Sequence, residues 1–230
     1  MNTVQAIPLA DVEERNNALA ARYDIDEYYA NALFLIRMVE QARLRAIARM
    51  VEAKPSDRIL EVGCGGGHVL RLFRESSLVG VDVSPRMLEK ARRNLRGCQV
   101  ELLKGELRDL ALPDRSFDKI VCTEVLEHVN DPSEILSGIA RLLKPHGRAV
   151  ITFPNDRLVK ALKKVIHSSR LDRLPWLDRL SWGGDEFHVH QWRIREMRAL
   201  LRRFFTIRQE RFVPFRLPAS RCCFRCALPA

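Results

Sequence analysis

The feature that most constrains the fold is an alternation of short apolar runs with helical segments between residues 58 and 153. Runs of strand length that are separated by helices predict right-handed βαβ units and a mostly parallel sheet covered on both faces. The predicted strands are 58–62, 78–81, 100–103, 117–122 and 148–153, with helices over 68–75, 84–95 and 132–143. We therefore predict an α/β chain with a doubly wound, seven-stranded, mostly parallel sheet that ends in an antiparallel C-terminal strand.

The flanking segments break this rhythm. Apolar residues recur at helical spacing over 33–51 and again over 194–204, and the last apolar runs, 205–213 and 222–228, suit a closing antiparallel pair. We predict one domain over 1–230. Its predicted parts are an N-terminal helical cap (1–54), a cofactor-binding core (55–154), a basic amphipathic insertion or lid (156–192), and a closing helix and strands (193–230).

The net charge of +10 lies entirely in the last third of the chain. Residues 1–155 carry 22 Lys and Arg against 22 Asp and Glu, whereas residues 156–230 carry 17 against 7. Such asymmetry favours an anionic partner. Two tryptophans beside a basic amphipathic helix suit an anionic membrane surface contacted through 157–182, and no nucleic-acid motif points to DNA or RNA. Packing of that helix on its own domain is the alternative.

The chain's compartment is predicted from the start of the sequence and from its cysteines. The first residues lack a basic region followed by an apolar run, and no apolar stretch reaches the roughly 18 residues that span a bilayer. We therefore predict a cytoplasmic protein, with peripheral membrane contact as a further hypothesis. The tail holds one CxxC, over Cys223–Cys226, which falls short of a zinc site, so no metal is predicted.

The motif that carries chemistry is a buried strand followed by glycines, from Glu61 through Gly63-Cys64-Gly65-Gly66-Gly67. Such glycines allow a ligand to approach the backbone at the carboxyl end of a central strand. About 20 residues further on, Asp82 ends the next strand, where a carboxylate suits the hydroxyls of a ribose. The third glycine of a dinucleotide fingerprint is replaced by His68, and Glu61 suits a cationic ligand better than a pyrophosphate.

Together with Gly80–Leu88, Phe117-Asp118 and Leu142–Arg148, this motif resembles class I S-adenosylmethionine-dependent methyltransferases over about residues 58–154. The resemblance implies a Rossmann-like methyltransferase fold and S-adenosylmethionine as the cofactor. It also implies site residues. These are Glu61, Gly63, Gly65 and Gly67 around the methionine, Asp82 on the ribose, Val83 or Met87 beside the adenine, Glu106 near the adenine amine, and Thr123 at the mouth of the fourth strand. His146 departs from the family's usual glycine.

Cys122–Pro132 is similar to the segment that follows the fourth strand in the ubiquinone-biosynthesis O-methyltransferase group. That likeness implies that Arg43 contacts the cofactor carboxylate, and it associates Glu124, Glu127 and His128 with a divalent cation. A structural role for the Glu127-His128 pair, in starting the next helix or supporting the loop, is the alternative. The arginines between 37 and 49 otherwise suit a solvated helix face.

The predicted function is methyl transfer to a small, hydrophobic or lipid-like acceptor, with O-methylation favoured. A hydroxyl acceptor benefits from a general base, and His128, His188 and His190 are the candidates because imidazole titrates near neutral pH. Two alternatives stay open. One is a module that binds S-adenosylmethionine without turnover, and the other is an NAD-dependent oxidoreductase that uses the same Asp82.

Overall fold

A computed structural model describes residues 34–155, 189–214 and 219–229. The strands are β1 (Arg58–Val62), β2 (Ser77–Asp82), β3 (Val100–Lys104), β4 (Phe117–Thr123), β5 (Leu143–Pro154), β6 (Thr206–Pro214) and β7 (Ala219–Ala227). The α-helices are α1 (Phe34–Val51), α2 (Pro85–Asn94), α3 (Pro132–Leu142) and α4 (Ile194–Leu201). Short 3₁₀ helices cover Leu70–Phe73 and Leu107–Asp109.

The strands form one seven-stranded sheet in the order β3-β2-β1-β4-β5-β7-β6. Strand β1 is parallel to both β2 and β4, and the chain builds β2 and β3 on one side before returning to β4 and β5 on the other. The strand order therefore reverses between β1 and β4. The carboxyl ends of parallel strands at such a switch point form the crevice where open α/β sheets bind ligands.

The closing strands β6 and β7 are antiparallel to each other, and β7 is antiparallel to β5. In this register Arg221 of β7 faces Pro154, the last residue of β5. The N-terminal end of β7 therefore lies at the same edge as the carboxyl ends of the parallel strands.

Helices cover both faces of the sheet. Leu136 of α3 and Met197 of α4 are buried in an apolar cluster on one face. Ile47 of α1 and Leu88 of α2 are buried in a second cluster on the other face. This is the layered arrangement that strands buried on both sides require.

Local sequence signals account for the helix starts. The Ser84 hydroxyl accepts a hydrogen bond from Met87 N at 3.2 Å, and Pro85 occupies the first helical position of α2. Asp131 caps α3 in the same way through Ser133 N, with Pro132 at the first position. Side-chain caps and N-terminal prolines satisfy or avoid donors that a helix leaves unpaired.

The predicted fold class is confirmed, and so is the antiparallel closing pair. Several predicted bounds differ. The helix over 68–75 is only the 3₁₀ turn Leu70–Phe73, β5 begins at Leu143 rather than 148, and α4 ends at Leu201. Most of the basic insertion and most of the N-terminal cap lie outside the described residues. Within the described ranges no helix is long and apolar enough to cross a membrane.

Candidate active site

The site is built on the contact between the glycine turn after β1 and the last residue of β2. Asp82 Oδ2 accepts a hydrogen bond from Gly65 N at 2.8 Å, and Oδ1 accepts one from Ser84 N at 2.9 Å. Burial raises the pKa of Asp82, and the backbone hydrogen bonds oppose that shift. Each carboxylate oxygen has two lone pairs, so both retain acceptor capacity for a ligand's hydroxyl groups.

Two glycines of this turn show why side chains are excluded. Gly65 has a φ of +49°, and a Cβ built on it meets no atom within 4 Å, so its Cα faces open space. Gly63 has a φ of +68°, and a Cβ there would collide with Val125 of the loop after β4. Gly65 thus leaves room for a ligand, and Gly63 allows the glycine turn and the loop after β4 to approach closely.

Glu61, the penultimate residue of β1, is only 2% exposed. Burial raises the pKa of this carboxyl group to about 8, although Leu70 N donates to it at 3.2 Å and Arg43 lies close enough to lower the pKa. The nearby Asp82 carboxylate contributes to the rise. Thr123, buried at the end of β4, shares a hydrogen bond with Glu61. A cationic ligand bound near this buried carboxyl group would favour its ionised form.

A cavity of about 410 Å³ opens at this edge. Its walls come from the ends of β1, β2 and β3 and from the loop between β4 and α3. Among the predicted site residues, Gly63, Asp82, Val83, Glu106 and His128 line it. The other charged lining residues are Arg108, Glu124, Asp131 and Glu134. Five carboxylates against one guanidinium make these walls net negative, which suits a cationic ligand.

The rim beside β3 is held by Arg108. Its Nη2 lies 2.9 Å from Glu106 Oε2, and its Nη1 donates to both carboxylate oxygens of Glu134, at 3.2 and 3.0 Å. Burial raises the pKa of Glu106, and the Arg108 charge opposes that rise. A ligand amine that binds Glu106 therefore shares this carboxylate with Arg108.

The sequence pattern placed Arg43 of α1 on a solvated helix face, but the structure buries it. It is 8% exposed, and its Nε donates to Glu40 Oε2 at 2.8 Å. Arg45 and Arg49 are exposed as predicted. The guanidinium of Arg43 lies close enough to Glu61 to lower its pKa electrostatically. Its contact with a cofactor carboxylate remains a prediction.

Glu124, the first residue after β4, is held by two partners. Thr152 Oγ1 donates to Glu124 Oε1 at 2.9 Å, and Arg221 Nε lies 2.7 Å from Glu124 Oε2. Among the described residues no group of three or more His, Cys, Asp or Glu side chains is arranged to hold a metal ion. A guanidinium already occupies the carboxylate that a cation would need, so Glu124, Glu127 and His128 do not fit a divalent cation site.

The candidate bases lie near one loop. His128 lines the cavity, and its backbone N donates to Val125 O at 2.9 Å. His190 rests against the same loop, because its backbone N donates to Glu127 O at 3.2 Å and its Nε2 lies 3.3 Å from Asn130 O. His188 lies outside the described residues. The structure therefore brings His128 and His190 to one rim.

Met87, Gly67 and the tail cysteines do not line the cavity. Met87 is half-buried in the first turn of α2, two residues past Pro85. Gly67 N donates to Cys64 O at 2.8 Å within the glycine turn. The three β7 cysteines, Cys222, Cys223 and Cys226, are buried free thiols, and burial raises the pKa of each to about 12.

Sequence reasoning missed Arg221 and Arg108 as parts of the site. Arg221 lies near the start of β7, a strand whose only sequence signal is its apolar pattern, and the sequence associates Glu124 only with cation binding. The charge excess of the last third pointed to an external partner, whereas Arg221 pairs internally. For Arg108 a signal existed, since Glu106 and Arg108 are two positions apart at the end of a predicted strand.

Residues 60–151 match the family model described as "Methyltransferase domain". The ubiquinone biosynthesis O-methyltransferase of Xylella fastidiosa strain 9a5c is 34% identical over 144 residues, which cover 60% of this chain and 58% of the relative. The demethylmenaquinone methyltransferase of Tropheryma whipplei strain Twist is 31% identical over 144 residues, covering 62% and 58%. The matches thus span less than two thirds of either relative.

The fold is also found in solved structures. Magnesium protoporphyrin IX methyltransferase from Synechocystis PCC 6803, solved with bound SAH, superposes with a TM-score of 0.70 at 17% identity. The superposition covers 96% of this chain and 100% of that chain. At this identity the likeness establishes the shared fold.

Proposed function

We propose that this chain, whose residues 60–151 form a methyltransferase domain, binds S-adenosylmethionine and transfers its methyl group to a small hydrophobic acceptor. O-methylation is the favoured reaction. The domain match agrees with the resemblance from which S-adenosylmethionine was predicted, and the matched relatives are themselves methyltransferases by name.

One observation carries the proposal, namely that Asp82 and the glycine turn meet at the switch point of the sheet. Asp82 is tied to Gly65 N at 2.8 Å, beside a cavity whose walls are net negative. The carboxylate is placed for ribose hydroxyls, and the open space at Gly65 is placed for the rest of a nucleoside. A net negative wall favours a sulfonium over the pyrophosphate of NAD, which supports methyl transfer over the oxidoreductase alternative.

S-adenosylmethionine supplies an activated methyl group on a sulfonium, which becomes neutral when the methyl leaves. The task of the protein is therefore alignment, with the acceptor atom held about 3 to 3.5 Å from the methyl carbon. Asp82 and Glu106 would hold the nucleoside, and the positive charge of the ligand would favour ionisation of the buried Glu61 carboxyl group. For a hydroxyl acceptor, His128 would accept the proton, since it lines the cavity and imidazole titrates near neutral pH.

The acceptor class is proposed from two observations. The names of both reported relatives refer to quinones, which are hydrophobic molecules. Apolar residues of the loop after β4 and of α3, Val125, Val129 and Ile135, line the same cavity as His128. A lipid-like acceptor that carries a hydroxyl group fits this combination of apolar wall and adjacent imidazole.

Incubation of the purified protein with methyl-labelled S-adenosylmethionine and a lipid extract tests the proposal. We expect label in an organic-soluble product and stoichiometric S-adenosylhomocysteine. S-adenosylmethionine binding without any product would favour the module without turnover, and binding of NAD instead would favour the oxidoreductase.

We also propose a cytoplasmic location with contact at anionic membranes through 157–182, which lie outside the described residues. The basis is the sequence, with all of the excess positive charge in residues 156–230. Screening weakens such contacts. Co-sedimentation with vesicles of anionic phospholipid at low salt, lost at high salt, is the expected result, and no co-sedimentation at low salt would contradict it.

A further inference from the structure

We propose that Arg221, on the closing strand β7, is a positioning residue of the cofactor pocket that acts by holding the Glu124 carboxylate in place. This inference rests on the proposed function, because it assigns Arg221 a role toward the same pocket. It starts from an ion pair of 2.7 Å between Arg221 Nε and Glu124 Oε2, which joins the C-terminal strand to the loop after β4.

Glu124 adopts an unusual backbone conformation at the cavity wall. Its φ is +55°, in the left-handed region that non-glycine residues avoid, and its side chain lines the cavity. Such a conformation persists only where the surroundings impose it. The backbone N of Glu124 donates to Thr152 O at 3.2 Å, and the Thr152 hydroxyl donates to Oε1, so Arg221 supplies the contact to the other oxygen.

Removing the Arg221 charge would change the cavity through Glu124. A half-buried carboxylate that loses its cationic partner is favoured to turn toward water, and the nearest opening is the cavity it already lines. The other charges acting on Arg221 are the carboxylates of Glu40 and Glu127 and the guanidinium of Arg43. Glu40 and Glu127 are themselves carboxylates and do not replace the Arg221 charge, and Arg43 Nε donates to Glu40.

The guanidinium group suits this position for a geometric reason. Arg221 Nη2 also lies 3.8 Å from Glu40 Oε1, so one planar group faces carboxylates on α1 and on the β4 loop. A lysine ammonium is a single point charge and lacks the planar group that faces both carboxylates at once. Replacement by Lys should therefore restore the function of Arg221 only in part.

Strand β7 offers a matched control. Arg225 lies four positions further along, its side chain is 26% exposed against 25% for Arg221, and its Nη1 pairs with Glu52 Oε1 at 2.9 Å. Both arginines thus tie β7 to an acidic residue of an earlier segment. Glu124 lines the cavity and Glu52, at the end of α1, does not.

The experiment is calorimetric titration of the full-length protein with S-adenosylmethionine, with unfolding temperature measured in parallel. We expect Arg221→Gln to weaken affinity about tenfold and Arg221→Lys about threefold, the size usual for coupled charges in one network. Arg225→Gln should lower the unfolding temperature comparably while leaving affinity within about twofold. In a Glu124→Gln background, the further effect of Arg221→Gln should fall below about twofold.

Several results would overturn the inference. Equal affinities of Arg221→Gln and Arg225→Gln would show a purely structural role, and a full tenfold loss in the Glu124→Gln background would show that Arg221 does not act through Glu124. If Arg221→Gln does not fold, the affinity of Arg221→Lys tests the inference instead. An affinity of Arg221→Lys equal to that of the wild type would then contradict it. Failure of the wild-type protein to bind S-adenosylmethionine would instead refute the proposed function.

Discussion

Replacing Glu61 with Gln should change how the stability of the folded protein depends on pH. Burial raises the pKa of this carboxyl group to about 8 in the folded state, whereas the ordinary pKa of a glutamate is 4.5. Between these two values the folded protein keeps the proton and the unfolded chain releases it. Rising pH therefore favours unfolding through this group, and the stability it contributes below pH 4.5 is lost as pH approaches 8.

The magnitude follows from the size of the shift. Each pH unit between the two pKa values costs up to about 1.4 kcal/mol of unfolding free energy. Between pH 5 and pH 7 the loss is about 2 to 3 kcal/mol, because the unfolded chain still holds part of its proton near pH 5. Glutamine has the same shape and does not ionise, so Glu61→Gln should escape this loss.

Urea denaturation of both proteins at pH 5, 6, 7 and 8 provides the assay. The quantity of interest is the difference in unfolding free energy, which removes the titration of all groups that the two proteins share. We expect the variant to gain about 2 to 3 kcal/mol on the wild type between pH 5 and pH 7. Parallel stability curves would refute the argument, since they would mean that Glu61 ionises in the folded state as it does in the unfolded chain.

Three further predictions concern the turn, the bases and the thiols. Gly65→Ala and Gly97→Ala should each cost about 1 kcal/mol in urea denaturation, since both glycines have positive φ and open space, but only Gly65→Ala should weaken S-adenosylmethionine binding in titration calorimetry. Equal affinities would exclude Gly65 from the pocket. His128→Asn should lower kcat by roughly 100-fold without a matching change in KM. A larger loss of kcat in His190→Asn would identify His190 as the general base instead. The three β7 cysteines should resist alkylation at pH 8 until urea is added, because burial raises the pKa of each to about 12.

Much of the fold could be predicted because its signals are local. The glycine turn, the carboxylate that ends β2 and the Ser84-Pro85 helix start each depend on residues a few positions apart. Strand β5 began earlier than predicted because Leu143 pairs with Phe117 across an irregularity in the ladder, which no local pattern indicates. Element types were therefore more predictable than their bounds.

The charge pairs of the site could not be predicted because they depend on packing and on contacts between distant parts of the chain. Arg43 looks like one of several arginines on a helix face, and only the packing of α1 against the sheet buries it beside Glu40. Arg221 and Glu124 meet because β7 lies antiparallel to β5, a contact between residues far apart in the chain. Their roles toward a ligand remain predictions.

The central claim is that Asp82 and the glycine turn form an S-adenosylmethionine pocket, and one titration tests it most directly. Calorimetry should show saturable binding of S-adenosylmethionine to the wild type, none to Asp82→Ala, and unchanged binding to Asp114→Ala, whose exposed carboxylate pairs with Arg141 away from the cavity. Circular dichroism should show that both variants are folded. Unchanged affinity in folded Asp82→Ala would contradict the account.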